Sequence, residues 1–110
     1  MKHTKVEIES IILKLMKDIK REYYTDKDIF IEFENNIDAG HNIKQIKNGW
    51  CVGVPVPDYQ FEKDEYVSIL IFIDDDTGKI EGFLDNSMGR PLPLKAKLDN
   101  NGKYILTAIK

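Results

Sequence analysis

The sequence predicts an α+β domain, with one long N-terminal helix packed on a curled, mainly antiparallel sheet of about five to six strands. Three observations carry this. Apolar residues recur at helical spacing only up to about residue 24. Beyond that point the apolar period shifts to two, the period of a strand. The alternating segments are joined mostly by short links, which suit neighbouring antiparallel strands. At 110 residues, 42% of them apolar, the chain is one domain (1–110) with a single modest core.

The helix is expected over residues 4–24, roughly six turns at ~3.6 residues per turn. Ile8, Ile12, Leu15, Met16, Ile19 and Tyr23 fall on one face at three- and four-residue spacings. Thr4 with Glu7 three residues later has the form of a capping box, in which each side chain satisfies the other's free amide.

A first strand is expected at about 28–34, where Ile29, Ile31 and Phe33 alternate with Phe30, Glu32 and Glu34. Residues 35–48 are polar and contain Gly40, so they read as a loop or weak strand. A second strand at about 49–56 sets Trp50, Val52, Val54 and Val56 on one side. Its Pro55 and Pro57 lack an amide donor, so its end belongs at an edge or outside the sheet.

The third strand alternates Val67, Ile69, Ile71 and Ile73 with Ser68, Leu70 and Phe72, and a strand apolar on both faces belongs in the middle of a sheet. It runs into Asp74-Asp75-Asp76-Thr77-Gly78 and then a fourth strand, with Gly78 free to take a positive φ. The aspartates can accept hydrogen bonds from turn amides. A fifth strand (Leu92, Leu94, Ala96, Leu98) exposes Lys95 and Lys97, and Asn101-Gly102 turns the chain into a sixth. One helix covers one face only. Phe30, Leu70, Phe72 and Phe83 are placed on the other, covered by sheet curvature and residues 35–48, or else by a partner or second copy.

The net charge of −3 is unevenly spread. Residues 58–85 carry nine acids against two bases, residues 1–57 balance, and residues 86–110 carry five bases against one acid. An acidic balance argues against a nucleic-acid binder, and an anionic membrane would repel the middle segment. A basic protein partner fits it, although a solvated surface without any partner produces the same clustering. The lone Cys51 points to a reducing compartment, the cytoplasm.

Candidate chemistry is sparse. The stretch from Asp74 to Asp85 has acids where a calcium loop would, but Gly78 and Lys79 are out of register and Asp85 stands where a bidentate Glu is needed. Asp76-Thr77-Gly78 matches an aspartic-protease triplet, yet only 32 residues follow, too few for that domain. Cys51 reads as a small apolar filler unless His41 meets it in a cleft. No enzyme activity, no metal and no cofactor is therefore expected.

Gly49-Trp50 in the second strand and Asp76-Thr77-Gly78 after the third resemble the small bacterial immunity proteins, in particular the YrhB-type group. The resemblance implies a non-enzymatic protein that binds and neutralises a cognate toxin, as in contact-dependent inhibition. A nuclease-type toxin presents a basic cleft, and an acidic surface is steered onto it. The toxin-facing residues are expected to be Asp58, Glu62, Asp64, Glu65, Asp74, Asp75 and Asp76, with Tyr59, Phe61 and Tyr66 as aromatic anchors. The alternative is a homo-oligomeric small-ligand module, a homodimer for instance, with Trp50, Phe33, Phe72 and Tyr104 lining an apolar pocket.

Overall fold

The computed structural model describes residues 1–57, 66–85 and 92–109. One helix, α1 (Lys5–Asp18), is followed by β1 (Phe30–Ile37), β2 (Ile46–Pro57), β3 (Tyr66–Asp74), β4 (Ile80–Asp85), β5 (Leu92–Leu98) and β6 (Tyr104–Ala108). The strands form one open sheet in chain order, every neighbouring pair antiparallel. The α+β expectation holds.

The capping box forms as the sequence implies: Thr4 Oγ1 accepts from the Glu7 amide (3.2 Å) and Glu7 Oε1 from the Thr4 amide (2.9 Å). The helix is shorter than expected, 14 residues rather than 21. Its end is a Schellman turn: Lys20 takes a left-handed φ of 56°, its amide donates to Lys17 O, and the Arg21 amide donates to Met16 O. Tyr23 continues the apolar spacing without continuing the helix. The chain instead crosses to the sheet, where Arg21 Nη1 meets Asp85 Oδ2 (2.8 Å) and the Tyr24 amide donates to Pro55 O (2.9 Å).

Ile8, Ile12, Leu15 and Met16 form the buried stripe of α1. They pack on Trp50, Val52, Val54 and Val56 of β2 and Ile69, Ile71 and Ile73 of β3. The helix approaches both edge strands, β1 and β6, so the sheet curls around it. At its C-terminal end, Asp18 Oδ2 accepts the Tyr104 amide (3.0 Å) and Lys14 Nζ donates to Gly102 O (2.7 Å).

Phe83 belongs to this core and not to the outer face. Its register partner is Ile71, and cross-strand partners share a face. The reason lies in β4, where Gly82 opposes Phe72 but Ile80 opposes Ile73, leaving Glu81 as an extra residue.

On the outer face, Ile37, Ile43 and Ile46 cover Phe72. Gly82 makes this close approach feasible, since a Cβ there would lie 2.7 Å from Ile43 Cγ2. The segment expected to be a loop or weak strand thus supplies both the end of β1 and the start of β2, with a loop between them that covers Phe72. Phe30 and Leu70 stay uncovered, at 55% and 37% exposure. Pro55 sits as the sequence requires, beyond Gly53, the last residue of β2 paired with β1.

The left-handed Lys20 carries a conformational cost that glycine lacks. Lys20→Gly should therefore raise the free energy of unfolding by about 0.5–1 kcal/mol. Urea denaturation measures this, and a loss of stability would contradict the described helix end.

Candidate functional site

The aspartate triplet divides into three roles. Asp74 closes the hairpin: its Oδ1 accepts the Asp76 amide (2.8 Å), its carbonyl accepts the Gly78 amide (2.7 Å), and its amide donates to Lys79 O (2.9 Å). Gly78 has the φ of +73° that this turn needs. Asp76 faces solvent, with Lys2 Nζ 3.7 Å away.

Asp75 points inward and is 2% exposed. Its Oδ2 accepts the Lys2 amide (2.6 Å), and its Oδ1 accepts the His3 amide (3.0 Å) and Trp50 Nε1 (3.0 Å). His3 Nδ1 lies 3.0 Å from the Asp75 carbonyl and 3.2 Å from Oδ1. Burial by itself would raise this carboxyl's pKa, but the Lys2 amide, the Trp50 indole and His3 outweigh it and hold the value at about 2. Asp75 is thus a clasp that ties the N-terminal residues to the hairpin and to β2. Its carboxylate is not part of an exposed acidic face, and this corrects the expectation for both Asp75 and the buried Asp74.

Asp58, Tyr59, Phe61, Glu62, Asp64 and Glu65 lie outside the described residues, as does the side chain of Tyr66. Pro57 and Tyr66 are register partners, so the two chain ends to which residues 58–65 attach lie side by side. That end of β3 is eight residues from Asp74, about 26 Å at ~3.3 Å per residue.

The outer face between these ends holds residues the charge count alone did not single out. Phe30, Gly53, Leu70 and Leu84 occupy one row across β1 to β4, by register. Between Phe30 and Leu70, Gly53 is buried, and a Cβ there would lie 3.5 Å from Phe30 Cβ and 3.6 Å from Ser68 Cβ, so Phe30 and Leu70 are the exposed apolar side chains of the row on β1 and β3. Along β1 the exposed Glu32 and Glu34 follow Phe30 on the same face. Their signal was the alternation of Phe30, Glu32 and Glu34 against Ile31 and Phe33.

Cys51 lies under these acids. Its Sγ donates to Glu34 Oε2 (3.1 Å), and burial together with the Glu34 and Glu32 charges pushes the thiol up to about 12. A thiol held protonated in this way is a hydrogen-bond donor and a poor nucleophile at neutral pH. Its bonded partner is Glu34, not His41.

The aromatic residues expected around one pocket are separated. Phe33 and Trp50 meet edge to face, with ring centroids 5.2 Å apart, whereas Phe72 lies in the outer cluster. Tyr104, at the start of β6, has the Lys14 ammonium 5.2 Å above its ring. Among the described residues no cluster of His, Cys, Asp and Glu is arranged to hold a metal ion, and no helix is long and apolar enough to cross a membrane.

No protein-family model, curated protein or solved structure matches the chain.

The clasp makes stability depend on pH. Because the folded pKa is depressed from 3.8 to about 2, the Asp75 contribution is complete above pH ~4 and disappears as pH falls toward 2. Asp75→Ala should cost about 3 kcal/mol at neutral pH, since the buried Trp50 Nε1 loses its acceptor. In denaturation series the gap between wild type and variant should narrow below pH ~4. A gap independent of pH would show that the carboxylate charge does not matter.

Proposed function

We propose that this chain is a non-catalytic binding protein, an immunity-type inhibitor that occludes a basic toxin domain. The observation that supports this reading most directly is the uncovered Phe30–Leu70 row on the outer face of the sheet, flanked by Glu32 and Glu34. An aromatic residue half exposed on a regular strand, with an aliphatic neighbour and a charged rim, has the composition of an interface centre.

The chemistry assigns each part a role. Phe30 fills a pocket on the partner, and Leu70, in the same row on β3, adds a second apolar contact. Glu32, Glu34 and Asp76 face the toxin's basic groups. Asp74 and Asp75 keep the hairpin and N-terminal residues in place. Acids on the rim act chiefly on the association rate, because attraction between unlike surfaces raises productive encounters and is screened by salt. The buried apolar contact acts chiefly on dissociation. The Cys51 thiol remains a donor beneath the acids and takes no chemical step.

A large secreted protein with a variable C-terminal domain encoded immediately upstream would supply the toxin for the test. Against that domain, Glu32→Lys with Glu34→Lys should lower the association rate by roughly tenfold or more at low salt and flatten its salt dependence. Phe30→Ala should weaken affinity by about 2 kcal/mol, mostly through faster dissociation. Both sites are exposed, so thermal stability should change little. Unchanged binding in both variants would remove this face as the docking surface. A second copy of the chain is the competing occupant of the row. A dimer in sedimentation that Phe30→Asp converts to monomer would favour it.

A further inference from the structure

The two edges of the sheet differ in what covers their backbone. At β6 the helix closes the start of the edge: Asp18 Oδ2 accepts the Tyr104 amide (3.0 Å), and Lys14 Nζ donates to Gly102 O (2.7 Å). At β1, among the described residues, the backbone of Phe30–Ile37 bonds to β2 alone. Phe30 to Asn35 pair with Gly53 to Asn48 without a break, until the left-handed Asn36 (φ 58°) interrupts the register. This stretch is an extended edge about 20 Å long at ~3.3 Å per residue. Every second residue of it turns its N–H and C=O away from β2, where an incoming strand would meet them.

The two faces of that edge offer different surroundings. On the helix side a groove of about 550 Å³ runs between α1 and β1, lined by Val6 and Leu13 of the helix and by Tyr23, Ile29 and Ile31. Val6 and Leu13 are 74% and 40% exposed, beside the buried stripe of the helix. Two lysines and two acids also line the groove and balance one another, so its apolar residues set what enters it. On the outer face Glu32 and Glu34 are exposed, and among the described residues neither forms an ion pair. Antiparallel pairing of β1 with the β1 of a second copy would set these acids against each other, which like charge opposes. Unpaired acids on one face call for basic side chains, and the groove on the other face calls for apolar ones.

We propose that β1 takes up an extended segment of a partner protein as a seventh strand, one whose side chains alternate between apolar and basic. Successive side chains of a strand point to opposite faces, so one segment meets both surroundings. Its apolar side chains enter the groove beside Val6 and Leu13, and its lysines or arginines lie beside Glu32 and Glu34. Backbone hydrogen bonds to the β1 edge hold the segment whatever its sequence, and the alternation sets which segments are accepted. The inference goes beyond the docking row: it shares Glu32 and Glu34 with that row and adds the sheet edge and the helix-side groove.

Titration of the full ¹⁵N-labelled chain with a capped heptapeptide of alternating lysine and valine tests it. No toxin is present, so the outcome is independent of the docking row. The peptide should give saturable shifts at the amides of β1, Val6 and Leu13, with a submillimolar dissociation constant at about 0.1 M salt. It should also slow hydrogen exchange along the β1 edge. The same peptide N-methylated at every residue should bind roughly tenfold more weakly or worse, as should peptides with glutamate for lysine or serine for valine. Val6→Glu with Leu13→Glu, at two exposed positions, should weaken the lysine–valine peptide by roughly tenfold, and so should Glu32→Gln with Glu34→Gln. The absence of saturable shifts would overturn the proposal. So would equal binding of the N-methylated peptide, or affinity unchanged in both double variants. A dimer in sedimentation whose β1 amides are protected and which excludes the peptide would overturn it in favour of a second copy.

Discussion

A single helix of about four turns has to seal one face of six strands, and this constraint shapes the rest of the molecule. The sheet meets it by curling, so that both edge strands come to the helix and the stripe of Ile8, Ile12, Leu15 and Met16 reaches β2, β3, β4 and β5. Curling makes the opposite face convex, and among the described residues no second helix lies on it. Residues 38–45 solve half of that problem, with Ile43 lowered over Phe72 onto a glycine. Phe30 and Leu70 are the half left unsolved within the described residues, and this apolar surface kept in water is the physical basis of the docking face proposed above.

The hairpin after β3 shows how a run of acids can be structural. Three adjacent carboxylates would repel one another on an open surface, and here they point in different directions. Asp74 serves the turn, Asp75 enters the protein to take donors from Lys2, His3 and Trp50, and only Asp76 faces water. A buried carboxylate is tolerated because its oxygens are occupied. The acids along β1 that remain exposed come from the half of the chain with balanced charge.

Electrostatic segregation therefore survives folding in altered form. Glu32 and Glu34 lie on an edge strand of the sheet, while Lys95 and Lys97 lie on β5. Because the strands follow one another in chain order, distance along the sequence becomes distance across the sheet, and the two signs do not cancel. The bulge at Glu81 connects the two levels: one extra residue returns Phe83 to the core, turns Glu81 toward Lys44, and ends the β4–β5 ladder.

Much of the fold was legible in the sequence, because local patterns and local physics decide it. Period-two alternation located the strands to within a few residues, Thr4 with Glu7 marked the start of the helix, and Gly78 and Gly102 marked two turns. The edge position of Pro55 followed from its missing amide. What local pattern could not decide were matters settled between distant residues. Helical spacing ran on through Tyr23, but Lys20 ended the helix where Arg21 and Tyr24 gained partners in the sheet. The inward turn of Asp75 depends on Trp50, 25 residues away, and on the amides of Lys2 and His3. The side to which Phe83 belongs depends on a bulge that shifts register by one residue and so exchanges faces. Sequence alone determined the elements and their order; only tertiary packing decided which charges stayed in water, because burial of a carboxylate is governed by the donors that happen to surround it.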